Sequence, residues 1–166
     1  MSSNWRPDDS LMKADSKGRV QGTRRVVEAL HKNGVRYGKG VITSRDKGVA
    51  AAQRDLKREG MPRGVESWQI PVVFRPGGDV LSFITRMKPG AIVPKHSHDH
   101  AVVRFVFKGS LKYGRVTLKI GDWMFVPAGQ EYSVMAGVDG CSVLYGHGFP
   151  CEILPLGGAP LTKERL

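Results

Sequence analysis

The residues of this chain best suited to chemistry are its histidines. Four of the five lie after residue 95, and three of those fall within one short stretch, Pro94-Lys95-His96-Ser97-His98-Asp99-His100. In an extended chain, residues two apart point to the same face, so His96 and His98 present their imidazoles to one point. Imidazole is a ligand for iron, manganese, nickel, copper and zinc. The spacing predicts a metal site, against the alternative that a dense histidine tract is a solvated turn.

The segments around this tract have the pattern of short strands. From Trp68 onward, runs of β-branched and aromatic residues alternate with turn residues, which indicates a sandwich or a barrel. The stretch Asp139-Gly140 is one of the expected turns. The predicted strands are Trp68–Phe74, Val80–Met87, Val102–Phe107, Val116–Ile120, Trp123–Val126, Tyr132–Met135 and Ser142–Tyr145.

The chain before these strands has a different character. Residues 1–67 are predicted to form a basic N-terminal arm with one or two short helices, and residues 68–166 the β domain. The first 22 residues lack a hydrophobic period, so we expect a loose arm there. One helix is expected to begin at a Thr23 cap and to end at Asn33-Gly34.

A second helix is expected from about Asp46 to Glu59. Its apolar stripe consists of Val49, Ala52 and Leu56, which recur at helical spacing.

The net charge of +11 is large for 166 residues and could attract a nucleic acid or an acidic small molecule. No nucleic-acid recognition motif accompanies the basic residues, so a solvated basic surface is favoured over a nucleic-acid tether. No apolar run approaches the roughly 18 residues of a membrane-spanning helix, and we expect a soluble cytoplasmic protein. Cys141 and Cys151 are expected to be free thiols.

Two stretches with specific glycine and proline spacing give the chain a family resemblance. Gly90, five further residues, His96-Ser97-His98 and later Gly109 resemble the first cupin motif, and Gly121, five further residues and Pro127-Ala128-Gly129 resemble the second. The match covers roughly residues 68–150. The resemblance implies an all-β, cupin-type jelly-roll β-barrel with an N-terminal helical extension.

The chain departs from the cupin pattern at two positions. The family usually has a glutamate ligand where this chain has Val102, and a third histidine where it has Tyr132. Some three-histidine cupin dioxygenases also lack the glutamate. Candidates for the missing ligand are Tyr132, His147 and His100, with His147 favoured because imidazole is the commoner ligand. Each of the three could instead be an ordinary core or turn residue. The implied cofactor is one divalent transition metal, with Fe(II) favoured and Mn, Ni, Cu or Zn possible alternatives.

Arg104 lies on the strand that follows the histidine tract. Strand alternation without a bulge puts Arg104 on the same face as His96 and His98, and puts Phe105 and Phe107 on the other. Because the family places its ligands inside the barrel, Arg104 would then point inward and could hold a substrate carboxylate. A bulge would turn it to solvent instead. Outward-facing phenylalanines need a cover, and the resemblance to cupins favours a homodimer.

The favoured function is that of a mononuclear non-haem metal enzyme of dioxygenase type. It would act on a small oxygen-rich substrate, such as a dicarbonyl compound or an aromatic ketone or acid, with Arg104 and Tyr132 as catalytic residues. A cupin lyase or isomerase is an alternative. So is a non-enzymatic cupin that binds a small molecule, for which the replaced ligand positions Val102 and Tyr132 are the evidence.

Overall fold

The computed structural model describes residues 5–36, 41–72 and 80–147. A 3-10 helix, Ser10–Met12, is followed by the helices α1 (Gln21–Lys32) and α2 (Lys47–Asp55). The strands are β1 (Val65–Gln69), β2 (Leu81–Met87), β3 (Ile92–His96), β4 (Val102–Tyr113), β5 (Val116–Leu118), β6 (Trp123–Val126) and β7 (Tyr132–His147). None of the helices in these ranges is long and apolar enough to cross a membrane.

The strands form one antiparallel sheet in which the long strands β4 and β7 are central. The order is β1-β2-β7-β4-β5, with β3 also paired to β7 and β6 also paired to β4. Alternate side chains of β2, β4 and β7 point to a common interior, whose core includes Leu81, Phe83, Val102, Leu111 and Val143. The all-β fold with a helical N-terminal part is as predicted.

Both predicted helices are present, with shifted ends. α1 begins at Gln21, and Thr23 is a buried residue inside it rather than its cap. It ends as expected, with Asn33 as its C-cap and Gly34 at φ +71°. α2 stops at Asp55 because the chain then pairs with β1: the Arg58 amide donates to the Ser67 carbonyl at 2.8 Å.

Residues 5–22, the described part of the predicted loose arm, are anchored to the rest of the fold. Leu11 is buried in the barrel core. The Trp5 indole donates to the Gly60 carbonyl at 2.7 Å, and Arg58 donates to the Asp8 carbonyl at 2.9 Å. A few long-range anchors therefore order a segment that has no hydrophobic period of its own.

The predicted turn at Asp139-Gly140 is a bend within a strand. β7 continues through Gly140, whose φ is +76°, and β4 continues through Gly109, whose φ is +69°. The register between the two strands shifts on either side of this point, as at a β-bulge. Residues 73–74 of the first predicted strand, Cys151 and the rest of the predicted β domain after 147 lie outside the described residues.

Candidate metal centre

Four strand positions bring the predicted site residues to one end of the barrel. His96 is the last residue of β3 and pairs with Tyr132, the first residue of β7. His147 is the last residue of β7 and pairs with Val102 of β4. Because β4 pairs regularly with β6 and β7 from Val102 to Phe105, no bulge intervenes and Arg104 points inward.

The three histidines are buried next to one another. His96 and His98 are each 5% exposed and His147 is 3% exposed. The ring centroids of His96 and His98 are 5.0 Å apart, and those of His98 and His147 are 4.9 Å apart. The Tyr132 ring lies 4.4 Å from that of His96. His100 is exposed, and the structure leaves it outside this cluster.

One nitrogen on each of the three rings is buried without a hydrogen-bond partner. The orphaned atoms are Nε2 of His96, Nε2 of His98 and Nδ1 of His147. His96 Nδ1 contacts the Pro94 carbonyl at 2.6 Å, and since a carbonyl only accepts, Nδ1 carries the proton and Nε2 the lone pair. Lone pairs on buried imidazoles are the donor atoms that transition metals bind.

Burial keeps two of these histidines neutral. Desolvation lowers the pKa of His96 to about 4, although the hydrogen bond to Pro94 opposes the shift. Desolvation likewise lowers the pKa of His147 to about 3, and the neighbouring His98 and Arg104 add to the shift. Neutral imidazole is the form that binds a metal, so both rings are ready ligands at pH 7.

The chemistry of these donors fits a transition metal, and the orphaned nitrogens lack any other partner. In the part of the chain that the structure describes, however, no three His, Cys, Asp or Glu side chains already converge as a complete ligand set. Val102, at the position where the family usually has glutamate, is fully buried and contributes no donor. The donor atoms that the described residues bring near one another here are the unpartnered nitrogens of His96, His98 and His147, with the Tyr132 ring beside that of His96.

Arg104 is buried beside the histidines and has no carboxylate partner among the described residues. It is 6% exposed, and its Nη2 donates to the Tyr132 hydroxyl at 2.5 Å. Its guanidinium carbon lies 4.6 Å from the centre of the Tyr145 ring. Its Nε is orphaned. A buried guanidinium in contact with aromatic rings and one hydroxyl lacks the anionic partner that a buried charge usually has.

Three residues of the N-terminal region also belong to the site, and the sequence pattern did not reveal them. The Trp5 ring meets the His96 ring edge-on at 5.1 Å, and Asp9 Oδ1 lies 3.0 Å from His98 Nδ1. Arg58 is buried and donates to the Tyr145 hydroxyl. Burial opposes ionisation of Asp9, but the His98 hydrogen bond and nearby positive charges outweigh it and lower the pKa of this carboxyl. Only the fold brings these residues to the histidines, so no local signal could have identified them.

Two cavities meet at the site. The inner one has a volume of about 20 Å³ and is lined by His96, His98 and Arg104, among others. That is room for one water-sized group. The outer one is a cleft of about 920 Å³ that also reaches His96. Trp5 and Pro7 line both, as does His96.

Solved structures with a related fold cover parts of the chain. Rhodobacter sphaeroides SigE in complex with the anti-sigma ChrR aligns at 20% identity with a TM-score of 0.43, over 51% of this chain and 44% of that chain. Bacillus subtilis oxalate decarboxylase aligns at 25% identity with a TM-score of 0.45, over 52% of this chain and 26% of that chain. The polyketide cyclase RemF from Streptomyces resistomycificus aligns at 22% identity with a TM-score of 0.45, over 63% of this chain and 79% of that chain.

This chain spans less than half the length of the first two of these proteins. With TM-scores below 0.5, the three likenesses carry no argument about function. No curated protein sequence matches the chain. The family model for the ChrR cupin-like domain matches residues 49–149, which is more than half of the sequence and includes most of α2 as well as the strands. The chain therefore belongs to the ChrR cupin-like family of the cupin superfamily.

Proposed function

We propose that this chain is a metal-binding cupin protein that acts as a mononuclear non-haem enzyme of dioxygenase type. The observation that carries the proposal is the set of three buried imidazoles, each with an unpartnered nitrogen, next to a buried arginine that has no carboxylate partner among the described residues. The substrate would be a small oxygen-rich acid, such as a dicarbonyl compound or an aromatic ketone that bears a carboxylate.

The metal would be held by His96, His98 and His147, with Fe(II) the favoured ion and manganese, nickel, copper or zinc as alternatives. A bound ion would polarise substrate oxygens and supply the open positions that oxygen chemistry requires.

The other residues of the site would bind and orient the substrate. Arg104 would hold the substrate carboxylate through paired N–H donors, for which its orphaned Nε is available. Tyr132 would exchange a proton with the substrate through its hydroxyl, which Arg104 already holds at 2.5 Å. Because the inner cavity is water-sized, the body of the substrate would occupy the outer cleft, and Trp5 and Pro7 would have to move for it to reach the ion.

Oxygen consumption tests the enzymatic part of this proposal. Protein reconstituted with Fe(II) should consume O2 in step with the loss of small diketones or hydroxyacetophenones that carry a carboxylate. Arg104→Lys should raise KM for these substrates by at least about tenfold, because a lysine cannot form the paired contact, and should leave KM for neutral analogues unchanged. Metal-loaded protein that consumes no more O2 than a His96→Ala/His98→Ala double variant would contradict a dioxygenase.

A second candidate function is a cupin that binds a small ligand without catalysis. The specific observation in its favour is the size of the inner cavity, which Trp5 and Pro7 help to line and which has room for one ion or water. The family is named after ChrR, which is described as an anti-sigma in complex with SigE, and a regulatory binding role for this chain would be of this second kind. Tight metal binding without any O2 consumption would favour it.

We also propose that the chain forms a homodimer through the outer face of β4, β6 and β7. Large apolar side chains on this face are exposed: Phe105, Phe107, Trp123 and Leu144. Phe105 pairs with Trp123 on one side and with Leu144 on the other, so these side chains form one continuous patch. The helices pack against each other and against β1 instead. A second copy would cover the patch with the same patch of its own.

A further inference from the structure

We infer that Asp9 is a positioning residue for the metal site, supplied by the N-terminal segment to His98. The inference rests on the proposed metal binding, which it deepens. Asp9 Oδ1 lies 3.0 Å from His98 Nδ1, across 89 positions of the sequence. Because a carboxylate only accepts, Nδ1 of His98 carries a proton, and in the neutral ring the lone pair is on Nε2, the atom that is buried without a partner among the described residues.

Histidine ligands commonly donate their second ring nitrogen to a carboxylate or a carbonyl, which fixes both the tautomer and the orientation of the ring. In this chain the two ligands of the histidine tract are held in different ways. His96 is held by the Pro94 carbonyl of its own strand at 2.6 Å, whereas His98 is held by Asp9. The hydrogen bond that orients His98 therefore comes from the N-terminal segment, and the one that orients His96 does not.

The segment that carries Asp9 is anchored on both sides of it. Before Asp9, the Trp5 indole is bound to the Gly60 carbonyl and the Asp8 carbonyl accepts from Arg58 at 2.9 Å. After it, Leu11 is buried in the barrel core, and the Met12 amide donates to the Asp9 carbonyl at 3.0 Å. The Asp9 side chain is itself only 20% exposed. These contacts hold the carboxylate in place, so its contact with His98 is a fixed part of the site.

The tautomer of His98 in the metal-free protein tests this role without any metal. Long-range proton–nitrogen correlation spectra should show the Nδ1–H form for both His96 and His98 in the wild type. Asp9→Ala should remove this preference at His98 and leave it at His96, which serves as an internal control. Asp9→Asn, which keeps an acceptor oxygen, should restore the preference in part. Asp8→Ala is the matched control, because the Asp8 carboxylate binds the Ser10 amide and does not contact His98.

Zinc binding by the same variants tests the consequence for the metal. The affinity for Zn²⁺, measured by competition with a chelating indicator, should fall about 10- to 100-fold in Asp9→Ala and stay within about twofold of wild type in Asp8→Ala. An unchanged His98 tautomer in Asp9→Ala, equal effects of the two alanine variants, or an unchanged zinc affinity would each overturn the inference. A wild type that binds no zinc would contradict the proposed function instead, and the tautomer measurement would still decide whether Asp9 positions His98.

Discussion

At the residue scale, we propose that Arg104 serves ligand binding and not stability. Its guanidinium is 6% exposed and, among the described residues, has one hydrogen bond, to the Tyr132 hydroxyl, and no carboxylate partner. Burying a charge without an opposite charge beside it is costly. Its contact with the Tyr145 ring recovers part of the cost. In the proposed function, an anionic ligand completes this set of contacts.

Arg104→Met should therefore leave the unfolding free energy of the ligand-free protein within about 1 kcal/mol of wild type, or raise it, since methionine fills similar space without a buried charge. Urea denaturation of both proteins measures the difference. A loss of about 3 kcal/mol or more would show that the charge already has a strong partner in the free protein, and would count against a ligand-binding role.

Cys141 provides a pH prediction outside the site. Burial raises the pKa of its thiol to about 11 from an ordinary value of 9, against the opposing effect of Arg104. Between these pH values the unfolded chain releases the thiol proton and the folded chain keeps it, so this group destabilises the fold as pH rises from 9 to 11. Unfolding free energies of the wild type should fall more steeply over that range than those of Cys141→Ala. Parallel curves would contradict the prediction.

The sequence reveals the residues of the site that are close together in the chain. Arg104 follows from strand alternation, because the register from Val102 to Phe105 is unbroken. His96 and His98 follow from their spacing of two residues, although β3 ends at His96 and its register shifts between Val93 and His96. Trp5, Asp9 and Arg58 could not be predicted, because each reaches the site through contacts that span 50 residues or more. The polar character of residues 1–22 predicts a loose arm. It does not show that a single apolar residue such as Leu11 packs into the barrel core.

At the element scale, the bend that β4 and β7 share is made by two glycines. Gly109 and Gly140 lie against each other, and a Cβ on Gly109 would be 2.1 Å from the Gly140 carbonyl oxygen. Both have positive φ, so neither tolerates a side chain easily. The sequence marks both positions as turns, because glycine signals a positive φ without showing whether pairing continues beyond it. On one side of this bend the two strands pair from Val102 to Val106, which sets Val102 opposite His147 and Arg104 opposite Tyr145.

Gly109→Ala should lower the unfolding free energy by about 3 kcal/mol or more, from backbone strain and the clash with Gly140 together. Gly114→Ala is the matched control, because Gly114 also has positive φ (+56°) but has nothing within 4 Å of an added Cβ. Gly114→Ala should lower the unfolding free energy by only about 1–2 kcal/mol. Equal losses of unfolding free energy in the two variants would show that the close approach of Gly109 to Gly140 does not add to the strain of a positive φ.

The helices were predicted to within a few residues, because their apolar stripes and stop signals are local. Val49, Ala52 and Leu56 are all buried, as their spacing predicts. The predicted end of α2 is four residues too late. The residues just after the helix pair with β1, and helical propensity, which is a local property, does not predict pairing with a distant strand.

At the scale of the whole molecule, the exposed patch on β4, β6 and β7 predicts self-association. Phe105 is 45% exposed and Trp123 is 61% exposed, and they are neighbours across two strands. The wild type should run as a dimer in sedimentation equilibrium, and Phe105→Glu should make it monomeric, because two copies of a buried glutamate would face each other. The folded far-ultraviolet spectrum of the variant is the control. A wild type that stays monomeric as its concentration is raised would contradict the dimer.

The proposed enzymatic function depends on a metal at the histidine cluster. The most direct test is elemental analysis of the dialysed wild type, purified without a metal-binding tag, beside a His96→Ala/His98→Ala double variant. We expect near-stoichiometric iron, manganese, nickel, copper or zinc in the wild type and its loss in the variant, because the variant removes two of the three orphaned imidazole nitrogens. A wild type that holds no more metal than the variant, even after reconstitution, would contradict a metal centre and leave a cupin that binds its ligand through Arg104 alone.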